Sequence, residues 1–96
     1  SDIVARVLAE AMSPPLGQRV LVDNRAGAGG TLAARYVADQ PADGHTLLLS
    51  NTAPLVTSPP LYPQAGYDPL RSFTHVALIG GAPVVVVANP ARAPVT

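Results

Sequence analysis

The sequence predicts an α/β protein in which helices flank a mostly parallel sheet. Three observations carry this expectation. Apolar residues recur at helical spacing near the start of the chain and again after a glycine cluster. Short, fully apolar runs stand at Val20–Val22, Leu47–Leu49 and Val84–Val87. The two kinds of segment alternate in the order α-β-α-β-(α)-β-β, and that alternation is the pattern of a layered α/β fold.

The first helix is expected from Asp2 onward. Ile3, Val4, Val7, Leu8, Ala11 and Met12 repeat every 3.6 residues, so they share one face. Ser1 or Asp2 would cap it, and an acidic residue suits the positive end of the helix dipole. Pro14-Pro15 is expected to stop it. Arg19 to Asn24 reads as a strand, followed by the glycine cluster Gly27, Gly29 and Gly30. A second helix is expected over Thr31 to Gln40, with Leu32, Tyr36 and Val37 roughly on one side. Pro41-Ala-Asp-Gly44 is a turn signal.

Thr46 to Ser50 reads as a strand, and its Leu47–Leu49 run suggests burial on both faces, as in a parallel sheet. Prolines at 54, 59, 60 and 63 allow a helical turn or two at most between Ala53 and Pro63. Tyr67-Asp-Pro69 is a further turn. Thr74 to Ile79 reads as a strand. Val84 to Ala88 carries the strongest β signal, because β-branched side chains suit a pleated surface. Residues 91–96 have no periodicity and read as a truncated linker. A sheet of this kind usually begins with a strand, and the expectation is that this first strand is missing.

Composition narrows the function classes. The 96 residues suffice for one small domain, with 11 prolines and 8 glycines imposing many connections. Six basic and six acidic residues give no net charge, and every basic residue is arginine. Without a basic stripe, a nucleic-acid surface is not expected. With no cysteine, disulfides, thiolate catalysis and cysteine-based metal sites are excluded. His45 and His75 are the only histidines, and Asp43 with His45 supplies too few ligands for a metal. No catalytic residue, metal or cofactor is therefore expected.

Two stretches are candidates for function. Gly27, Gly29 and Gly30 lie between a strand and a helix, where backbone N–H groups can cradle an anion. A dinucleotide fingerprint would need a small residue at position 32, which is Leu32, and an acid near position 47, which is Leu47. A phosphate-binding P-loop would need a lysine, and the chain has none. The other reading of these glycines is a structural turn that exploits positive φ. Ser50, Asn51 and Thr52 follow the leucine strand at its C-terminal end, where open α/β sheets bind ligands. Neutral donors there suit a carboxylate, and a simple loop cap is the competing reading.

Taken together, Asp2-Ile-Val-Ala-Arg6, Leu16-Gly-Gln-Arg-Val20, Asp23-Asn-Arg-Ala-Gly-Ala-Gly-Gly30, Ala42-Asp-Gly-His-Thr-Leu-Leu-Leu49 and Tyr67-Asp-Pro69 resemble the Bug/TctC family. These are the substrate-binding proteins of tripartite tricarboxylate transporters. The resemblance covers essentially the whole chain. It implies part of lobe one of a type 2 periplasmic-binding-protein fold over 1–90, with the start of an inter-lobe segment at 91–96. The first strand and second lobe are then absent from this stretch. It also implies a periplasmic receptor that binds a small organic carboxylate, delivers it to membrane permease subunits and catalyses nothing.

Carried over residue by residue, the resemblance makes Asp2, Ser50, Asn51 and Thr52 the ligand-binding residues, and Gly27, Gly29 and Gly30 an architectural turn. Two alternatives stand beside it. One is a nucleotide-binding α/β enzyme using the Gly27–Gly30 loop. The other is a piece with no activity of its own that dimerises through an exposed sheet edge.

Overall fold

Three α-helices and two tight helical turns order the chain in a computed structural model that describes residues 2–91. Helix α1 spans Asp2–Leu16, α2 spans Thr31–Ala38 and α3 spans Ser58–Leu61. A 3₁₀ turn at Ala28–Gly30 leads directly into α2, and a π-helical turn at Ala53–Thr57 leads into α3. Ser1 and residues 92–96 lie outside the described residues, so the expected Ser1 cap and all but Ala91 of the expected inter-lobe segment do too.

Helix α1 begins where the periodicity places it but runs through Pro14 and Pro15 to Leu16. The expected stop at the prolines is corrected for a local reason. The prolines deprive Glu10 and Ala11 of intrahelical partners in the last turn, and the Ser13 hydroxyl donates to the Ala9 carbonyl at 2.6 Å one turn earlier. Gly17 then ends the helix in the left-handed region, at φ +66°, with its N–H on the Pro14 carbonyl at 3.1 Å. The Val20 N–H donates to Ser13 Oγ at 3.0 Å and brings the chain back along the helix. A solvent-open groove of about 640 Å³ lies between them.

Helix α2 ends two residues before its expected limit, at Ala38. Its buried positions are Thr31 and Ala34, one turn apart, whereas Leu32 and Tyr36 of the expected face are exposed. The cover Tyr36 does have includes Arg25, whose guanidinium lies 3.5 Å from the centre of its ring.

The expected strands at 19–24, 46–50, 74–79 and 84–88 are not formed, and no mostly parallel sheet exists among the described residues. Among the described residues, backbone hydrogen bonds outside the helices are all local, linking residues three to four apart in turns and caps. A strand is stable only when a neighbour takes its N–H and C=O groups and one face of the sheet is covered. Neither condition is met: Val86 is fully exposed, with Val84, Val85 and Val87 close to it. The radius of gyration is 16.7 Å, against about 12 Å for a compact chain of this length. The closest packing joins the 3₁₀ turn to α2 and to the Ala53–Leu61 segment, and it includes buried Thr31, Pro54 and Ser58. Among the described residues no helix is long and apolar enough to cross a membrane.

Candidate functional site

The glycine cluster is the point on which the packed part of the chain turns. Four successive residues have positive φ: Gly27 at 127°, Ala28 at 48°, Gly29 at 64° and Gly30 at 86°. Only glycine takes such values freely, so three of the four positions are glycine for backbone reasons. Close approach is the second reason. A Cβ on Gly27 would lie 2.7 Å from Leu32 Cδ1, one on Gly29 would lie 2.6 Å from Ser58 Oγ, and one on Gly30 would lie 3.2 Å from Pro54 Cγ. The turn therefore presses α2 and the Ala53–Leu61 segment together at backbone distance.

Several polar groups of this turn bond within it or to the packed segment. The Gly30 N–H donates to the Gly27 carbonyl at 3.0 Å, and the Thr31 N–H and hydroxyl both reach the Ala28 carbonyl, the hydroxyl at 2.7 Å. The Ser58 hydroxyl donates to the Gly29 carbonyl at 3.0 Å. A phosphate cradle needs N–H groups aimed outward, and here Gly30 and Thr31 aim theirs inward. A solvent-open cavity of about 390 Å³ lies alongside, between α2 and the residues after α3, with Arg35 its single charged wall.

The Ser50-Asn51-Thr52 loop forms the entry to the π-helical turn. The Ala53 N–H donates to Asn51 Oδ1 at 3.0 Å, and the Ser50 hydroxyl donates to the Asn51 carbonyl at 3.1 Å. The Thr52 carbonyl accepts the N–H groups of Leu55 at 3.2 Å and Val56 at 2.8 Å. Asn51 and Thr52 are exposed and Ser50 is half-buried. Asn51 keeps its amide N–H₂ outside these bonds, so the loop offers neutral donors while an Asx turn from Asn51 to Ala53 holds its backbone.

Asp2 sits at the start of α1. Its carboxylate accepts from Asn24 Nδ2 at 2.7 Å and from Arg6 Nε at 3.0 Å, which ties the helix start to the segment before the glycine turn. The Asn24 hydrogen bond first, and the Arg6 partner second, hold this carboxyl below its ordinary range. No hydrogen bond joins Asp2 to Ser50, Asn51 or Thr52 among the described residues, so the four are not gathered into one constellation. Asp43 accepts the His45 backbone N–H at 3.0 Å, which holds it low as well. His75 Nε2 meets the Pro69 carbonyl at 3.0 Å. No group of three residues that could hold a metal occurs among the described residues.

One residue near the loop escaped the sequence reading. The Tyr67 phenol donates to the Pro54 carbonyl at 2.5 Å, and its ring meets Phe73 edge-on at a centroid distance of 5.8 Å. Burial pushes its pKa above the ordinary tyrosine value. Tyr67-Asp68-Pro69 signals a turn, and nothing in that signal points thirteen residues back.

Comparison with known proteins bears on the whole segment. A family model described as the tripartite tricarboxylate transporter family receptor matches residues 4–96. The protein BugT of Bordetella pertussis is 45% identical over 91 residues, which is 94% of this chain and 28% of BugT. A UPF0065 protein from the TAR-I ttuE-ttuC' intergenic region of Agrobacterium vitis is 44% identical over 96 residues, covering all of this chain and 28% of that protein. Another, from the tcbD-tcbE intergenic region of Pseudomonas sp. strain P51, is 43% identical over 86 residues, 90% of this chain and 25% of its own length. The chain thus spans little more than a quarter of the length of these relatives. No solved structure matches it. With a match that runs from Val4 to the last residue, the chain belongs to the tripartite tricarboxylate transporter receptor family.

Proposed function

We propose that this chain forms part of the first lobe of a periplasmic solute receptor, one that captures a small organic carboxylate and hands it to the membrane permease of a tripartite tricarboxylate transporter. The observation that carries the reading is the family match over residues 4–96, reinforced by relatives about 45% identical across nearly the whole chain. Such a receptor binds and releases its ligand and makes or breaks no covalent bond.

In the full-length receptor the segments 19–24, 46–50, 74–79 and 84–88 pair as a mostly parallel sheet within a periplasmic-binding-protein lobe. Support comes from their apolar, β-branched composition and from the exposure they otherwise suffer. The cleft contacts are Asp2, at a helix start, and Ser50, Asn51 and Thr52, at the end of the leucine segment. The last three supply hydroxyl and amide donors, which satisfy a carboxylate without burying a counter-charge. Gly27, Gly29 and Gly30 hold α2 in place and do not touch the ligand.

The test is a thermal-shift panel on the full-length protein with citrate, succinate, glutamate, nicotinate and related acids. A ligand at 100 times its Kd stabilises the folded state by about 2.7 kcal/mol. A clear rise in melting temperature with one or a few acids is expected, and a flat response across the panel overturns the reading.

A further inference from the structure

The double proline after the π-helical turn creates a hydrogen-bonding deficit. Continued at helical pitch, the Pro54 carbonyl would take its hydrogen from residue 58 or 59. The Ser58 N–H is already on the Ala53 carbonyl, and Pro59 has no N–H. Pro54 is buried, so water does not readily replace the missing donor.

Tyr67 fills the deficit from outside the turn. Its phenol donates to the Pro54 carbonyl at 2.5 Å. Two features hold the phenol there. Phe73 stands edge-on to the ring, at 5.8 Å and an interplanar angle of 66°. The backbone just after Tyr67 is closed on itself: the Asp68 N–H donates to Ser72 Oγ at 2.9 Å and the Leu70 N–H to Asp68 Oδ1 at 2.9 Å. On the other side, Gly30 packs against the Pro54 ring, where an added Cβ would stand 3.2 Å from Pro54 Cγ. Pro54 is gripped from two directions, two residues after Thr52.

We infer that Tyr67 is a positioning residue for the Ser50–Thr52 loop, fixing the Pro54 carbonyl and through it the direction in which Asn51 and Thr52 present their donors to a carboxylate ligand. The loop's role as a ligand contact rests on the function proposed above. Tyr67 does not itself touch the ligand. It replaces a backbone donor that Pro59 cannot supply, and so converts a proline-rich turn into a fixed platform.

The test uses the full-length receptor carrying Tyr67→Phe, which keeps the ring and its contact with Phe73 and removes only the hydroxyl. Two quantities are read. One is amide hydrogen exchange at Leu55 and Val56 without ligand, since both donate to the Thr52 carbonyl. The other is calorimetric affinity for whichever of citrate, succinate, glutamate or nicotinate stabilises the unmodified receptor. Exchange is expected to quicken, and affinity to weaken, by about tenfold each, the scale of one lost hydrogen bond to a buried carbonyl. Ser13→Ala is the control: it deletes a comparable hydroxyl bridge remote from Pro54, and affinity is expected to hold.

Unchanged exchange in Tyr67→Phe overturns the positioning role, whether or not any acid binds. Faster exchange with unchanged affinity overturns the link to the ligand. An equal loss of affinity in Ser13→Ala assigns the effect to general destabilisation and overturns it too. If no acid binds the unmodified receptor, the proposed function fails, and the exchange measurement still decides whether Tyr67 fixes the loop.

Discussion

Gly29→Ala tests why the glycine turn is made of glycine. Two costs are expected, and the structure separates them. At φ +64° an alanine pays about 1–2 kcal/mol for its left-handed backbone. Its Cβ would also stand 2.6 Å from Ser58 Oγ. That hydroxyl is buried and donates to the Gly29 carbonyl at 3.0 Å, so displacing it leaves a buried polar group unpaired, at about 1–3 kcal/mol. Alanine's lower freedom in the unfolded chain returns roughly 0.5–1 kcal/mol. The net loss is about 1–4.5 kcal/mol, read as the shift of a urea-unfolding curve of the full-length protein followed by circular dichroism. Gly17→Ala is the comparison, because Gly17 has φ +66° with nothing within 4 Å of its added Cβ. It pays the backbone cost alone, about 1 kcal/mol. The double variant Gly29→Ala/Ser58→Ala should cost less than the sum of its parts, since removing the hydroxyl makes room for the methyl. Equal losses for Gly29→Ala and Gly17→Ala, or strict additivity with Ser58→Ala, would refute the close-approach argument.

Two further outcomes are expected. Asp2 should titrate with a midpoint below 3.8, read from its side-chain carboxyl resonance, and Asn24→Ala should move that midpoint upward. Because its folded pKa lies below the unfolded one, the stabilisation is full above the unfolded value and is lost as pH falls through the folded one. A midpoint unmoved by Asn24→Ala would show that the Asn24 bond does not hold the carboxyl low. Val86→Lys distinguishes a paired strand from an open one: in a sheet covered on both faces it costs the full-length receptor about 3 kcal/mol or more, whereas at an exposed position it changes stability by less than about 0.5 kcal/mol. The larger loss is expected, and a neutral result would remove Val84–Val87 from the proposed sheet.

Sequence and structure agree where the interactions are local. The start of α1 follows from apolar spacing within a few residues, and the single helical turns at 53–61 follow from where the prolines stand. Helix ends were less legible, because Pro14 and Pro15 fit the last turn of α1 once Ser13 takes a carbonyl and Gly17 reverses the chain. The sheet was legible only as composition. Val84–Val87 carries the preference for pairing, but pairing needs a partner strand, and these segments have none among the described residues. The site divides in the same way. Glycine spacing speaks to backbone conformation at Gly27, Gly29 and Gly30 and says nothing of Ser58 or Pro54 opposite them. The Tyr67 bond to Pro54 depends on an orphaned carbonyl created by Pro59, a three-body relation that no pairwise pattern in the chain displays.

The unpaired valine run has a consequence for how such a chain reaches its folded state. Between Arg71 and Arg92 there is no aspartate, glutamate, lysine or arginine, so nothing charged guards the run against like segments in other molecules. Val84–Val87 is a template for intermolecular pairing for as long as it waits for its own neighbour. The glycine turn, α2 and the Tyr67 clasp can organise without that neighbour, whereas the valines depend on distant pairing, which forms slowly. Folding of the receptor is therefore a race between intramolecular strand pairing, independent of concentration, and association, which rises with it. Dilution favours the native outcome, and the yield of refolded protein is set by how long these four valines remain alone.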